Sequence, residues 1–157
     1  MATLELPPDF SEFLKLLRSN GVKYLLIGGY AVGHYGYSRP TGDMDVWIER
    51  DPENARRLVA ALTEFGFGSA DLTPELILDP KRMIRMGVPP MRLEILTTIS
   101  GVDFADCYPR RVVDTISGVE VDLISRDDLK KNKAASGRLK DLVDLEHLDR
   151  TSWRPRP

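Results

Sequence analysis

Tyr24-Leu25-Leu26-Ile27-Gly28-Gly29 and, thirteen residues further on, Asp43-Met44-Asp45-Val46-Trp47-Ile48 decide how this chain folds. An apolar run ends in a glycine pair, and a second apolar run opens with carboxylates at i and i+2. Side chains alternate along a strand, so Asp43 and Asp45 project to one face while Met44, Val46 and Ile48 fill the other. These strands, set among segments of helical periodicity, predict an α/β (α+β) chain. It has a mixed central sheet with helices packed against it and a C-terminal helical segment.

Upstream, Phe10, Phe13, Leu14 and Leu17 form the apolar stripe of a helix stopped by Asn20-Gly21. Asp9 is its expected cap, with Glu12 at the capping-box position. Lys23 to Ile27 is a strand, and a short helix from about Tyr30 to Tyr35 follows the glycines. A loop from Gly36 to Gly42 leads to the strand Met44–Ile48. Asp51-Pro52 opens a helix running to about Phe65 and ending at Gly66. Thr73-Pro74 starts a short helix, and Arg82–Met86 and Arg92–Leu96 are strands joined through Gly87-Val88-Pro89-Pro90. Asp103–Tyr108 is a helical turn. Val112–Ile116 and Val119–Leu123 flank Ser117-Gly118, a hairpin signal. Ser125 caps a helix over Arg126–Ser136, Gly137 interrupts, and Arg138–Leu148 is the last helix. The expected organisation is a single domain, with a core over about 9–124, C-terminal helices over about 125–148 and a frayed tail over 151–157.

A chain of 157 residues fits one domain that buries about two thirds of its unfolded surface. Its net charge of −2 argues against unspecific nucleic-acid binding. Cys107 is the sole cysteine, which excludes an internal disulfide or a thiolate metal cage and points to a reducing cytoplasm. Met1–Pro8 does not have the make-up of a signal peptide. No apolar stretch reaches the roughly 20 residues that span a bilayer, so no membrane is expected.

Two adjacent carboxylates repel unless a positive charge lies between them, and a divalent cation carrying a triphosphate meets that need at Asp43 and Asp45. The alternative is an ordinary Asp-x-Asp on a surface strand. Gly28-Gly29 at a strand end lets backbone approach a phosphate closely, or is simply a tight turn. Glu94 lies between Leu93 and Ile95 on an apolar strand. A carboxylate there must be paired, bind metal or do chemistry. Its bland alternative is a salt bridge to Arg92 or Arg82. Lys130, Lys131, Lys133, Arg138 and Lys140 are five cations within eleven residues. Lys133, Lys140 and Arg138 are the candidates to counter a triphosphate; the alternative is a solvated face with internal pairs such as Lys140 to Asp144. Asp141 is placed to orient Lys133 or Arg138. Arg39 is a further phosphate candidate. Tyr30, Tyr35 and Tyr37 either stack on a base or pack. His34 is read as a structural imidazole, His147 as a surface residue, Trp47 as edge packing and Cys107 as inert.

Together, Ile27-Gly28-Gly29, the thirteen-residue gap, Asp43-Met44-Asp45-Val46 and a later strand carboxylate resemble the signature of polymerase-beta-type nucleotidyltransferases. The likeness is greatest to the minimal lincosamide and abortive-infection-type members and covers about residues 9–148. It departs from them in Gly28-Gly29, where many have Gly-Ser, and in Glu94, where aspartate is commoner. The resemblance implies a nucleotidyltransferase fold and transfer of a nucleoside monophosphate from an NTP to a hydroxyl, with release of pyrophosphate. It further implies Asp43, Asp45 and Glu94 as catalytic and metal-holding residues, with magnesium or manganese as cofactor. Gly28, Gly29, Arg39, Lys133, Arg138 and Lys140 would bind the nucleotide.

Three functions compete. The first is an enzyme acting on a small hydroxyl-bearing molecule, an antibiotic being one option. The second is a toxin–antitoxin component, as a toxin modifying tRNA or protein or as the antitoxin. The third is a catalytically silent nucleotide-binding protein. The short chain lacks an obvious acceptor domain, so the acceptor site is either completed by a second subunit, as in a homodimer, or open to a large substrate. A tRNA acceptor is disfavoured by the overall acidity.

Overall fold

The computed structural model describes residues 4–88, 92–151 and 153–154. Its elements, in chain order, are α1 (Pro8–Ser19), β1 (Tyr24–Ile27), α2 (Gly28–His34), β2 (Asp43–Ile48), α3 (Pro52–Phe65), α4 (Pro74–Leu78), β3 (Ile84–Met86) and β4 (Arg92–Leu96). There follow α5 (Phe104–Cys107), a 3-10 turn (Tyr108–Arg110), β5 (Val112–Ile116), β6 (Val119–Leu123), α6 (Arg126–Ser136) and α7 (Leu139–Arg150).

The six strands form one mixed sheet in the order β3-β4-β2-β1-β6-β5. β1 runs antiparallel to β2 and parallel to β6, whereas β2 and β4 are parallel. The edge strands β3 and β5 pair antiparallel with β4 and β6. All four β1 residues are buried, as a short uninterrupted apolar run in the middle of a sheet requires. β2 and β4 instead alternate at their starts: Met44, Val46, Leu93 and Ile95 are buried, and Asp43, Asp45, Arg92 and Glu94 are partly exposed on the other face.

Helices α1 and α3 pack together, with Phe13 and Phe65 rings 5.4 Å apart. Buried Asn54 fastens α3 to the sheet, accepting from the Lys23 amide at 2.7 Å and donating to the Lys23 and Glu49 carbonyls. Asp51 caps α3 through the Asn54 amide at 3.1 Å, Thr73 caps α4, and Ser125 caps α6 through the Asp128 amide at 3.1 Å. The β5–β6 hairpin turns at Ser117 (φ 51°) and Gly118 (φ 79°), the pair of left-handed residues that a two-residue hairpin needs.

Several expectations are corrected. α1 starts at Pro8, with Pro7 at the cap position and no side-chain cap bond, so Asp9 and Glu12 make no capping box. Proline's fixed φ suits the first helical position and moves Asp9 into the first turn. α2 begins at the glycine pair itself. Residues 151–157 are not frayed throughout: the Trp153 ring lies 4.6 Å from that of Tyr35, and Thr151 closes over Gly36. Residues 89–91 of the expected strand connection lie outside the described residues, as do 152 and 155–157 of the tail. Among the described residues no helix is long and apolar enough to cross a membrane.

Candidate functional site

The parallel register of β2 and β4 sets Asp45 opposite Glu94 and Asp43 opposite Arg92. Paired residues of neighbouring strands share a face, so Asp43, Asp45 and Glu94 meet on one side of the sheet. They floor a cleft of about 320 Å³ whose wall includes Gly28, Gly29, Arg39, Thr41, Arg85, Arg92, Lys133, Arg138, Lys140 and Asp141. The nine residues singled out from the sequence thus lie around one concavity.

The glycine pair is required by contact. Gly28 has φ +69°, and a Cβ there would stand 2.3 Å from Asp45 Oδ2. At Gly29 a Cβ would meet Thr41 Oγ1 at 2.6 Å. The backbone turn after β1 therefore presses directly on the carboxylate of β2.

Each acidic side chain has its own surroundings. Asp43 receives both arms of the Arg92 guanidinium, Nε to Oδ1 at 3.1 Å and Nη2 to Oδ2 at 2.9 Å. Glu94 pairs with Arg85 Nε at 3.0 Å. Arg85 is the residue opposite Glu94 on β3. Glu94 therefore takes neither Arg92 nor Arg82 as partner, and Arg82 is engaged with Asp79. Asp45 keeps a buried Oδ1 without a hydrogen-bond partner. Burial first, then the neighbouring Glu94 carboxyl by hydrogen bonding and charge, and the negative charge of Asp43 push its carboxyl well above the usual carboxylate range, against the opposing pull of the Lys133 ammonium.

The C-terminal helices supply the cations through a buried ionic network. Lys133 Nζ, on α6, bridges Asp141 Oδ1 at 2.9 Å and Asp144 Oδ2 at 3.0 Å on α7. Asp144 is also held by Arg39 through Nε and Nη2, both at 2.9 Å. Asp141 accepts from Ser136 Oγ at 2.5 Å and Arg138 Nε at 2.7 Å. Burial alone would raise the Asp141 carboxyl, but the bonds from Ser136, Lys133 and Arg138 bring it down to about 2. Asp144 is likewise pulled below its ordinary value: burial works the other way, but Arg39 and Lys133 prevail. The i, i+4 pair of Lys140 with Asp144 expected from spacing is not formed, because Arg39 and Lys133 claim Asp144. Lys140 is an exposed residue on the cleft wall. Lys130 and Lys131 are turned to Asp149 and Asp128 instead.

The bordering aromatics pack. Tyr35 donates to the Ile124 carbonyl at 2.6 Å, Tyr30 meets Phe10 edge-on at 5.7 Å, and Trp47 donates to the Thr97 carbonyl and packs on Phe104. His34 lies 3.5 Å from Asp114, between Tyr35 and Trp153, in the structural role expected. His147 is not a free surface residue: it stacks on Tyr37 at 3.7 Å, because α7 folds back over the loop at 36–42. Burial pushes the Cys107 thiol up to about 12, which leaves it inert at neutral pH.

Arg92 was legible in the alternation Arg92-Leu93-Glu94, which puts it on the carboxylate face. Arg85 and Thr41 were not, since their place depends on strand order and loop path.

Among the described residues no three acidic, histidine or cysteine side chains are gathered as a ready metal cage, and Arg92 and Arg85 are paired with two of the cleft's carboxylates. The donor set itself fits magnesium: three carboxylates on adjoining strands offer hard oxygen, and the bare Oδ1 of Asp45 is an acceptor awaiting a partner.

The fold is that of the nucleotidyltransferases. The structure superposes on an antigenic nucleotidyltransferase-like protein from Paracoccidioides brasiliensis with a TM-score of 0.52 and 20% identity, over 91% of this chain and 77% of that one. It superposes on the lincosamide antibiotic adenylyltransferase LnuA, in a lincomycin-bound crystal structure, with a TM-score of 0.55 and 12% identity, over 94% of this chain and 99% of that one. No protein-family model matches the sequence, and no curated protein matches it.

Proposed function

We propose that this protein is a metal-dependent nucleotidyltransferase that moves a nucleoside monophosphate from an NTP to a hydroxyl acceptor. The observation that carries this proposal is the register of β2 and β4, which gathers Asp43, Asp45 and Glu94 beside the Gly28–Gly29 turn in one cleft walled by cations.

Asp43, Asp45 and Glu94 would hold magnesium, which when bound neutralises phosphate charge and lowers the pKa of the attacking hydroxyl. The chain's own residues do the positioning. Gly28 and Gly29 leave room for phosphate oxygens against the backbone. Lys133, Arg138 and Lys140, with Arg39 beside Lys133 on Asp144, would set positive charge along the triphosphate, where positioning and electrostatics supply most of the rate. Glu94, 14% exposed, faces the cleft and is the candidate to take the hydroxyl proton. The acceptor oxygen attacks the α-phosphorus, the bond to the bridging oxygen breaks, and pyrophosphate leaves.

The acceptor class is a small hydroxyl-bearing molecule. LnuA, an adenylyltransferase seen with lincomycin, makes a lincosamide the first acceptor to assay. The test is magnesium-dependent release of pyrophosphate from each common NTP over an acceptor panel. Asp45→Ala is expected to abolish release while retaining the wild-type circular dichroism spectrum. Undiminished turnover in that variant overturns the assignment.

A further inference from the structure

Two of the three carboxylates on the cleft floor are bound by guanidinium groups. Arg92 grips both oxygens of Asp43, at 2.9 and 3.1 Å, and Arg85 holds Glu94 at 3.0 Å. Strand register builds both pairs: Arg92 sits opposite Asp43, and Arg85 opposite Glu94. Neither arginine is locked in place, with side chains 31% and 55% exposed. Both guanidiniums reach solvent on the cleft side, so a ligand that brings phosphate oxygens competes with Asp43 and Glu94 for them.

We propose that Arg92 and Arg85 are a cation-responsive latch: they neutralise the acidic floor before ligand binds, and pass to the phosphates when a metal–nucleotide enters. This deepens the proposed function and rests on the cleft taking a metal–nucleotide. A bare divalent cation approaching Asp43 and Glu94 must displace two guanidiniums, whose charges then stay close and repel it. A cation that arrives with a triphosphate brings acceptors for those same groups. The fork that binds carboxylate through two parallel N–H bonds binds phosphate equally well. The latch therefore makes the protein discriminate against free metal and couples metal binding to nucleotide binding. Such coupling is reciprocal and typically amounts to about 5–150-fold in affinity.

The test is direct binding without turnover, following Mn²⁺ by electron paramagnetic resonance. It is run on Mn²⁺ alone and on Mn²⁺ with α,β-methylene analogues of each common NTP, which occupy the site but are not cleaved. Arg92→Gln is expected to bind bare Mn²⁺ roughly tenfold more tightly than wild type and the Mn²⁺–nucleotide roughly tenfold more weakly. Arg85→Gln shifts both in the same directions. Arg92→Lys keeps the charge without the fork, guards against a Gln variant that fails to fold, and is expected to fall between. Arg82→Gln, whose partner is Asp79, leaves both affinities unchanged. If wild type binds the Mn²⁺–nucleotide but neither Arg92 variant tightens bare Mn²⁺, the latch is wrong and the proposed function stands. If wild type binds no Mn²⁺–nucleotide at all, both fall together.

Discussion

Gly28 shows how one residue joins backbone to chemistry. Its positive φ and the 2.3 Å gap between a notional Cβ and Asp45 Oδ2 mean that alanine there strains the turn and displaces the carboxylate at once. Gly28→Ala is expected to lower kcat/KM for nucleotide transfer by roughly tenfold or more and to destabilise the fold by about 1 kcal/mol, measured by steady-state kinetics and denaturant titration. An alanine variant with wild-type kinetics would show that the turn does not bear on Asp45. Lys133 is the second such residue. Its ammonium is buried between Asp141 and Asp144, so Lys133→Met removes the charge that joins them and leaves each carboxylate with one guanidinium, Arg138 on Asp141 and Arg39 on Asp144. The expected loss is about 3–5 kcal/mol, read from the shift in denaturation midpoint.

Among the elements, α6 and α7 bring cations to the cleft and are joined by the buried ion pairs of Lys133 with Asp141 and Asp144. Arg39 extends that ionic network to the loop between α2 and β2 through Asp144. The pH dependence follows from its carboxylates, whose folded pKa values lie below the ordinary value: Asp141 at about 2 against 3.8. A depressed folded pKa means that the unfolded chain binds more protons as pH falls. The stabilisation is therefore complete above the ordinary carboxylate pKa and is lost as pH drops from there through the folded value. The stability gap between wild type and Asp141→Asn is expected to be full at neutral pH and to shrink steadily below about pH 4, as thermal melts across a pH series would record. A gap that is the same at acid and neutral pH would show that Asp141 acts by packing alone. These elements were only partly readable in the sequence. Ser125 and Gly137 placed two helices, but spacing left Lys140 open between a phosphate contact and a surface pair with Asp144. The fold draws Asp144 inward to Lys133 and Arg39 instead, because a buried ammonium and a buried carboxylate must each be paired.

Across the whole molecule, strand order ranks stability. β4, β2, β1 and β6 have partners on both sides, while β3 and β5 are edges. Amides of Leu25, Leu26 and Val46 are expected to exchange slowest in native-state hydrogen exchange, and those of β3 to exchange fastest within the sheet. Equal protection in β3 and β1 would contradict this ranking. The acidic floor of the cleft then lies at the boundary between the rigid centre and a looser edge: Asp43 and Asp45 stand on a fully paired strand, and Arg85, half of the proposed latch, stands on the edge.

What the sequence by itself determined is local: the strand that ends in Gly28-Gly29, the face shared by Asp43 and Asp45, the caps at Asp51 and Ser125, and the hairpin at Ser117-Gly118. Each depends on contacts a few residues apart, through side-chain alternation, capping bonds or backbone sterics. Only the tertiary structure decided that β4 lies parallel beside β2 with Glu94 opposite Asp45, that Arg92 and Arg85 cover two of the carboxylates, and that Lys133 is buried rather than solvated. Those outcomes turn on strand order and on competition among distant charges for a few buried partners, and no spacing along a chain encodes which partner wins.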